Sequence, residues 1–221
     1  METNPRKIEI KFNSLPEATK KAFDYLSKEE WIREWYLAGG TALSLFAGHR
    51  ISVDLDFFTP LARFNNNELV KNILFNKNAE IDMNKDDTVY ARIFETKISF
   101  LSYPLFLPNN SFIQYNKINI LDPLDIAVTK IITISQRGKK KDFFDLYWCV
   151  KNIDSLENIL NKLPEQYPSV AHDYHHIIKA LAYFDDAEKD PEPTIYFNAN
   201  WKEVKDFFKK EAVYLANKCL F

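Results

Sequence analysis

Asp54 and Asp56 stand two positions apart in the run Val53-Asp54-Leu55-Asp56-Phe57-Phe58. The alternation predicts a strand, and strand residues at i and i+2 point to one face. The two carboxylates are therefore expected side by side, with Val53, Leu55 and Phe57 turned the other way. Like charges held that close repel, and Asp is disfavoured in strands. A cation between them removes the penalty. Hard carboxylate oxygens on a rigid strand suit Mg²⁺ or Mn²⁺, and Mg²⁺ commonly completes its shell with substrate phosphates.

A second constellation precedes the first. Gly39-Gly40-Thr41 follows the apolar run Trp35-Tyr36-Leu37-Ala38. The chain has only 4 Gly, where average usage would give roughly 15, so each is expected to meet a backbone need. A helix over residues 41–47 is predicted to open at the Gly pair. Free N–H groups at a helix start form an anion site. Without Cβ atoms a phosphate can come close to the backbone, and the Thr41 hydroxyl suits the first turn. Arg50, between this helix and the carboxylate strand, is read in two ways: it meets a phosphate or base, or it is a structural partner of Asp54 or Asp56. A glycine turn with paired carboxylates is the equipment for phosphoryl transfer from a nucleoside triphosphate.

The elements that must position these groups divide near Leu121. Before it, strands are predicted at residues 35–38, 53–58, 80–83, 89–94, 97–102 and 117–120, with helices at 15–26, 41–47 and 67–76. Pro104, Pro108 and Asn109-Asn110-Ser111 mark a loop. After Leu121 helices are predicted at 122–136, 139–151, 155–163, 172–189 and 201–219. Leu124, Ala127, Val128 and Ile131 form an apolar stripe at helical spacing, and Gly138 is placed to end the first of these helices. The fold class is α+β, a mixed-sheet domain over 1–120 and a helical domain over 121–221. The cleft between them is the default ligand site.

Composition narrows the class. A net charge of −2 argues against a globally basic nucleic-acid binder. Any nucleic-acid surface must be local, and Arg137-Gly138-Lys139-Lys140-Lys141 is the one candidate run. No stretch approaches a membrane span, and the first residues lack an apolar leader. The 2 cysteines, Cys149 and Cys219, make no disulfide framework and read as free thiols of a cytoplasmic protein.

The pattern resembles the signature of polymerase-beta-type nucleotidyltransferases: a Gly pair, a short helix, then Asp-apolar-Asp on a strand. The fuller string Leu37-Ala-Gly-Gly-Thr-Ala-Leu43, then His49-Arg50-Ile-Ser52-Val-Asp54-Leu-Asp56-Phe-Phe58, is similar to the AbiEii/AbiGii toxin branch, in its short single-gene form. A second landmark follows: Leu121-Asp122-Pro123-Leu-Asp125-Ile-Ala-Val-Thr-Lys130, then Arg137-Gly-Lys-Lys-Lys141-Asp142-Phe-Phe-Asp145-Leu-Tyr147. The resemblance runs from about Leu37 to the C-terminus. It implies a metal-dependent enzyme that moves an NMP from an NTP to an acceptor hydroxyl on RNA, such as tRNA, or on protein. It also implies the toxin role in a toxin–antitoxin or phage-defence pair, with an antitoxin as partner. Lys130 would contact the nucleotide phosphates. Lys141 and Asp142, with Asp145 beside them, would join the active site. The helical domain would close the nucleotide cleft.

Several residues carry two readings. Lys130 is placed on the polar side of its helix, where it is either a phosphate ligand or a snorkelling lysine. Lys141 and Asp145 are i,i+4 partners that read either as a plain surface pair or, with Asp142 at i,i+3 from Asp145 beside the basic run, as a mixture suited to phosphate binding. The wider superfamily places a third carboxylate on a later strand, and here Ser99 takes that position, with Glu95 expected at a turn. A serine cannot serve as general base without help, which keeps a degenerate nucleotide- or RNA-binding protein in play. A haloacid-dehalogenase-type phosphatase also uses Asp-x-Asp, but leaves Gly39-Gly40, Lys130 and Lys141 unexplained. His172 and His176 form an i,i+4 pair that can ligate zinc, but the intervening residues lack the Glu of a metalloprotease helix, and an exposed helix face is the simpler account.

Overall fold

The structure, a computed structural model, describes residues 9–219, excluding the Cys219 side chain. The N-terminal segment read above as lacking a leader lies outside the described residues, as does the Cys219 thiol. The boundary between two compact units falls between Asp122 and Pro123.

The first unit is built on a seven-stranded mixed sheet. Its strands are β1 (Tyr36–Ala38), β2 (Leu55–Thr59), β3 (Ala79–Lys85), β4 (Thr88–Ile93), β5 (Thr96–Ser102), β6 (Ile113–Tyr115) and β7 (Ile118–Ile120). The order is β3-β4-β5-β2-β1-β7-β6. β2 pairs parallel with β5 and antiparallel with β1, while β1 and β7 are parallel. Helices α1 (Glu17–Leu26), α2 (Gly39–Ala47) and α3 (Asn66–Leu74) complete the unit. The period-2 pattern decides the faces. Leu55, Phe57, Ile98, Phe100, Val89, Ala91 and Ile93 are all buried on one face. There Phe57 stacks on Phe100 at 5.3 Å, and Trp35 meets the Phe100 ring edge-on at 5.0 Å.

Two expectations change here. Val53 does not share the core face with Leu55 and Phe57: it is 50% exposed, and β2 starts only at Leu55. The backbone at Ser52 and Val53 is instead used by the loop, since Ser52 N donates to Ser14 O at 3.0 Å and Thr19 Oγ1 to Val53 O at 3.0 Å. The second change is the additional strand β6. It turns into β7 at Asn116, whose φ is 50°, a left-handed position that Asn tolerates better than most residues.

The second unit is helical: α4 (Pro123–Arg137), α5 (Lys140–Asn152), α6 (Leu156–Leu160), α7 (Leu163–Gln166), α8 (Tyr174–Leu181), α9 (Asp185–Glu188) and α10 (Trp201–Cys219). Gly138 ends α4 with φ 49°, as its position suggests. The predicted helix at 155–163 gives two short pieces instead. Pro164 has no N–H to donate, so it sits at the start of α7 rather than inside a continuous helix. The predicted helix at 172–189 is also two pieces: Asp173 caps the start of α8 by accepting from His176 N at 3.0 Å, and the chain breaks at Ala182 before α9. The core is aromatic: Phe143 contacts Phe184 at 5.1 Å and Phe208 at 5.6 Å, and Phe144 packs on Trp201 at 5.8 Å. Cys149 is a buried free thiol. Among the described residues no helix is long and apolar enough to cross a membrane.

Candidate functional site

Asp56 is fixed by register. It lies opposite Ala38 on β1 and opposite Ser99 on β5. The first pairing puts the carboxylate next to the turn into α2. A Cβ built on Gly39 would stand 3.4 Å from Asp56 Oδ2, and Gly39 has φ 68°. The second pairing supplies a hydrogen bond: Ser99 Oγ donates to Asp56 Oδ1 at 2.6 Å. One carboxylate oxygen is thus held by the neighbouring strand, and the other faces the glycine turn. Helix α2 includes both glycines, two residues earlier than predicted. Gly39→Ala is expected to cost about 1–2 kcal/mol, since an L-residue is strained in the left-handed region. A urea melt checks it, and an unshifted midpoint would contradict the strain.

Asp54 is half-buried and precedes β2 rather than lying in it, so the strict strand geometry predicted for the pair applies to Asp56 alone. What fixes Asp54 is its backbone. Thr41 Oγ1 donates to Asp54 O, and also lies 2.8 Å from Ser52 Oγ. Thr41 is buried, so its hydroxyl ties the loop, and the backbone of Gly39-Gly40 is what the turn presents outward. Arg50 is likewise buried at 3% and donates Nη1–H to Ile51 O at 2.9 Å. His49 is buried beside it.

The donor set fits a hard divalent cation of the Mg²⁺ type. Asp56 has an oxygen turned away from its strand partner toward a Cβ-free backbone, and Asp54 lies two residues away and half-buried. Among the described residues no group of three or more His, Cys, Asp or Glu side chains forms a metal cluster. A cation held by Asp54 and Asp56 would need substrate and water oxygens for the rest of its shell.

In the helical unit the second landmark converges on Lys130. Contrary to expectation it is not on a polar face. It is 4% exposed, with Nζ 2.6 Å from Asp142 Oδ1 and 2.6 Å from Asp145 Oδ2, both carboxylates fully buried. Seven residues of α4 before its end and two turns of α5 place the three side chains against each other, since i,i+3 residues of a helix share a face. Asp145 therefore pairs with Lys130 and not with Lys141, which is exposed. Arg137 Nε lies 3.6 Å from Asp142 Oδ2. The basic run is also not a uniform surface. Lys140 is buried at 6%; its N–H donates to Asp190 Oδ2 at 2.9 Å and its Nζ to Asp190 O at 2.8 Å. Sequence reasoning missed a further buried pair, Gln166 Nε2 donating to Asp125 Oδ1 at 2.6 Å. The i,i+5 offset of Asp125 from Lys130 on a largely apolar helix was the available signal.

The histidine pair does not form. His172 precedes α8 and its Nε2 is 3.2 Å from Tyr167 O, while His176 Nε2 is 3.0 Å from Ser135 O. Each ring is used by a different backbone carbonyl, so the shared helical face needed for zinc is absent.

The sequence profile of the nucleotidyl transferase AbiEii toxin family, type IV TA system, matches residues 22–93 and 77–213. The chain belongs to this family. An uncharacterized protein of Aquifex aeolicus (strain VF5) is 35% identical over 193 residues, covering 83% of this chain and 89% of that protein. Two solved structures share the fold. MenT4, a nucleotidyltransferase toxin from Mycobacterium tuberculosis H37Rv, superposes with a TM-score of 0.53 at 15% identity, covering 90% of this chain and 82% of that one. A protein of H. pylori provisionally described as a nucleotidyltransferase gives a TM-score of 0.51 at 16% identity, covering 92% and 96%.

As an AbiEii nucleotidyltransferase the chain is an enzyme of the transferase class, and the phosphatase alternative is set aside. The glycine turn and Asp56 stand together in the first unit, as the family string suggested. Ser99, where the resemblance leads one to expect a third carboxylate, donates its hydroxyl to Asp56.

Proposed function

We propose that the protein transfers an NMP from an NTP to an acceptor hydroxyl, using Mg²⁺ or Mn²⁺ held by Asp54 and Asp56. The observation that carries this is Asp56, anchored through one oxygen by Ser99 and open through the other toward Gly39, in a chain of nucleotidyltransferase family. When bound, the cation neutralises the triphosphate and favours departure of pyrophosphate. The backbone of Gly39 and Gly40 accommodates phosphate oxygens at the start of α2, and Thr41 and Arg50 keep that turn in place from within. The acceptor oxygen bonds to the α-phosphorus, the bond from that phosphorus to the β-phosphate bridging oxygen breaks, and the hydroxyl proton is released to solvent. Ser99 holds Asp56 in one orientation and supplies no charge, so catalysis rests on positioning and electrostatics. The family resemblance also assigns Lys130, Lys141 and Asp142 to nucleotide binding; in this chain Lys130 is held by Asp142 and Asp145 and Lys141 is exposed.

The acceptor on this reading is RNA such as tRNA. The partner is an antitoxin protein, in keeping with the type IV TA description of the family, and the setting is the cytoplasm. Purified protein incubated with each α-labelled NTP, Mg²⁺ and total cellular RNA is expected to label RNA, and Asp54→Ala to abolish the label. If NTP binds but no RNA is labelled, the transfer reading fails and a nucleotide-binding role replaces it.

A further inference from the structure

The register that fixes Asp56 continues across the sheet. Ser99 of β5 lies opposite Asp56 on one side and opposite Tyr90 of β4 on the other. Residues opposite each other in neighbouring strands share a face, so Asp56, Ser99 and Tyr90 form one row. One step along the strands, Lys97 lies opposite Arg92 and precedes Ile98 as Asp54 precedes Leu55 on β2. The other face of these strands, through Val89, Ala91, Ile98 and Phe100, is the core. This face is different. Tyr90 is 41% exposed, Lys97 and Arg92 are exposed and Asp56 is half-buried, while the small Ser99 between Tyr90 and Asp56 is 8% exposed.

Strands lie about 4.8 Å apart, so Tyr90 stands roughly 10 Å from Asp56 across two spacings. That is the reach from a reacting hydroxyl of a nucleotide to its own or an adjacent base. An exposed Tyr in a strand is common, but this one is in line with the carboxylate that the proposed reaction uses. It is bordered by two cations of different commitment. Arg92 is paired with Asp82 at 2.7 Å and Glu80 at 3.1 Å. Lys97 is set on the same face beside Tyr90. An aromatic ring with cations alongside is the means by which single-stranded nucleic acid is held without sequence readout: bases stack, and phosphates meet the charges.

Resting on the transferase reading above, we propose that Tyr90 is the stacking platform for a base of a single-stranded acceptor RNA, with Lys97 meeting its phosphate. The acceptor thus approaches Asp56 from the β4–β5 side of the sheet, over Ser99. Ser99 can lie under the acceptor because it is small and uncharged.

The test uses full-length protein and a fluorescein-labelled single-stranded oligoribonucleotide read by anisotropy, with Mg²⁺–NTP binding measured in parallel. Tyr90→Ala is expected to weaken oligonucleotide binding on the order of tenfold or more and to leave Mg²⁺–NTP affinity unchanged. Tyr90→Phe keeps the ring and is expected to bind as wild type, which a hydrogen-bonding or folding role of the phenol would not predict. Lys97→Ala is expected to lower the slope of log affinity against log salt by about one phosphate contact. The proposal is overturned if Tyr90→Ala binds the oligonucleotide like wild type, if it loses NTP and oligonucleotide equally, or if wild type binds no oligonucleotide. In the last case NTP binding that depends on Asp56 would leave the nucleotide site standing without this acceptor.

Discussion

Asp56→Asn is expected to eliminate metal-dependent nucleotide transfer while leaving the fold intact. The amide oxygen of Asn can still accept the hydrogen bond that Ser99 Oγ gives to Asp56 Oδ1 at 2.6 Å. The other terminal atom becomes an NH₂ group facing Gly39, which carries no charge and cannot ligate a hard cation. The two-carboxylate set then drops to Asp54 alone. Losing several kcal/mol of metal stabilisation corresponds to a rate loss on the order of 10³-fold or more. The charge change at a half-buried position is expected to move the urea midpoint little. Calorimetry of Mn²⁺–NTP binding and the transfer assay measure the two effects separately. A variant with wild-type transfer would remove Asp56 from the metal site. Ser99→Ala is the graded companion: it frees the Asp56 carboxylate without removing it, so a smaller loss is expected.

The residues that carry this expectation were legible in the sequence because they obey short-range rules. The alternation around Asp56 gave its face, and the scarcity of Gly pointed to a turn that the left-handed Gly39 does occupy. The pairing of Asp56 with Ser99 belongs to a different class. It depends on β2 and β5 being parallel neighbours separated by β3 and β4, and no local pattern specifies that. Asp54 was misplaced for a similar reason. Its alternation with Leu55 continues the strand pattern, but tertiary hydrogen bonds to Ser14, Thr19 and Thr41 hold the preceding backbone in a loop. Strand β6 was hidden by a Pro- and Asn-rich approach. The helix breaks after Leu160 and at Ala182 carry neither Gly nor Pro at the break itself, so the apolar stripe ran through them in the reading. Lys130 shows the reverse problem. A charged residue on an apolar helix reads as a polar face unless its partners, 12 and 15 positions later, are known to fold back onto it.

That buried cluster sets the second large effect. Lys130→Met is expected to destabilise the protein by about 3–5 kcal/mol, because it leaves Asp142 and Asp145 buried without their cation. Arg137, 3.6 Å from Asp142 Oδ2 and half exposed, compensates only in part, since solvent screens it. An exposed lysine on a polar face, as the sequence first suggested, would have cost far less than this. Urea melts distinguish the two: a midpoint within error of wild type would contradict the buried cluster. Loss of activity in the single variant would not by itself assign Lys130 a chemical role, because an unfolded protein is also inactive. The triple variant Lys130→Met, Asp142→Leu, Asp145→Leu separates the two. Well-packed apolar replacement of a buried ion cluster is often neutral or stabilising, so most of the lost stability is expected to return. If Lys130 serves the nucleotide phosphates, that refolded variant binds NTP more weakly by about 1.5–3 kcal/mol, the worth of a charged hydrogen bond. It should bind the corresponding nucleoside as wild type does. Equal affinity for NTP in the stable triple variant and wild type would confine Lys130, Asp142 and Asp145 to holding α4 against α5.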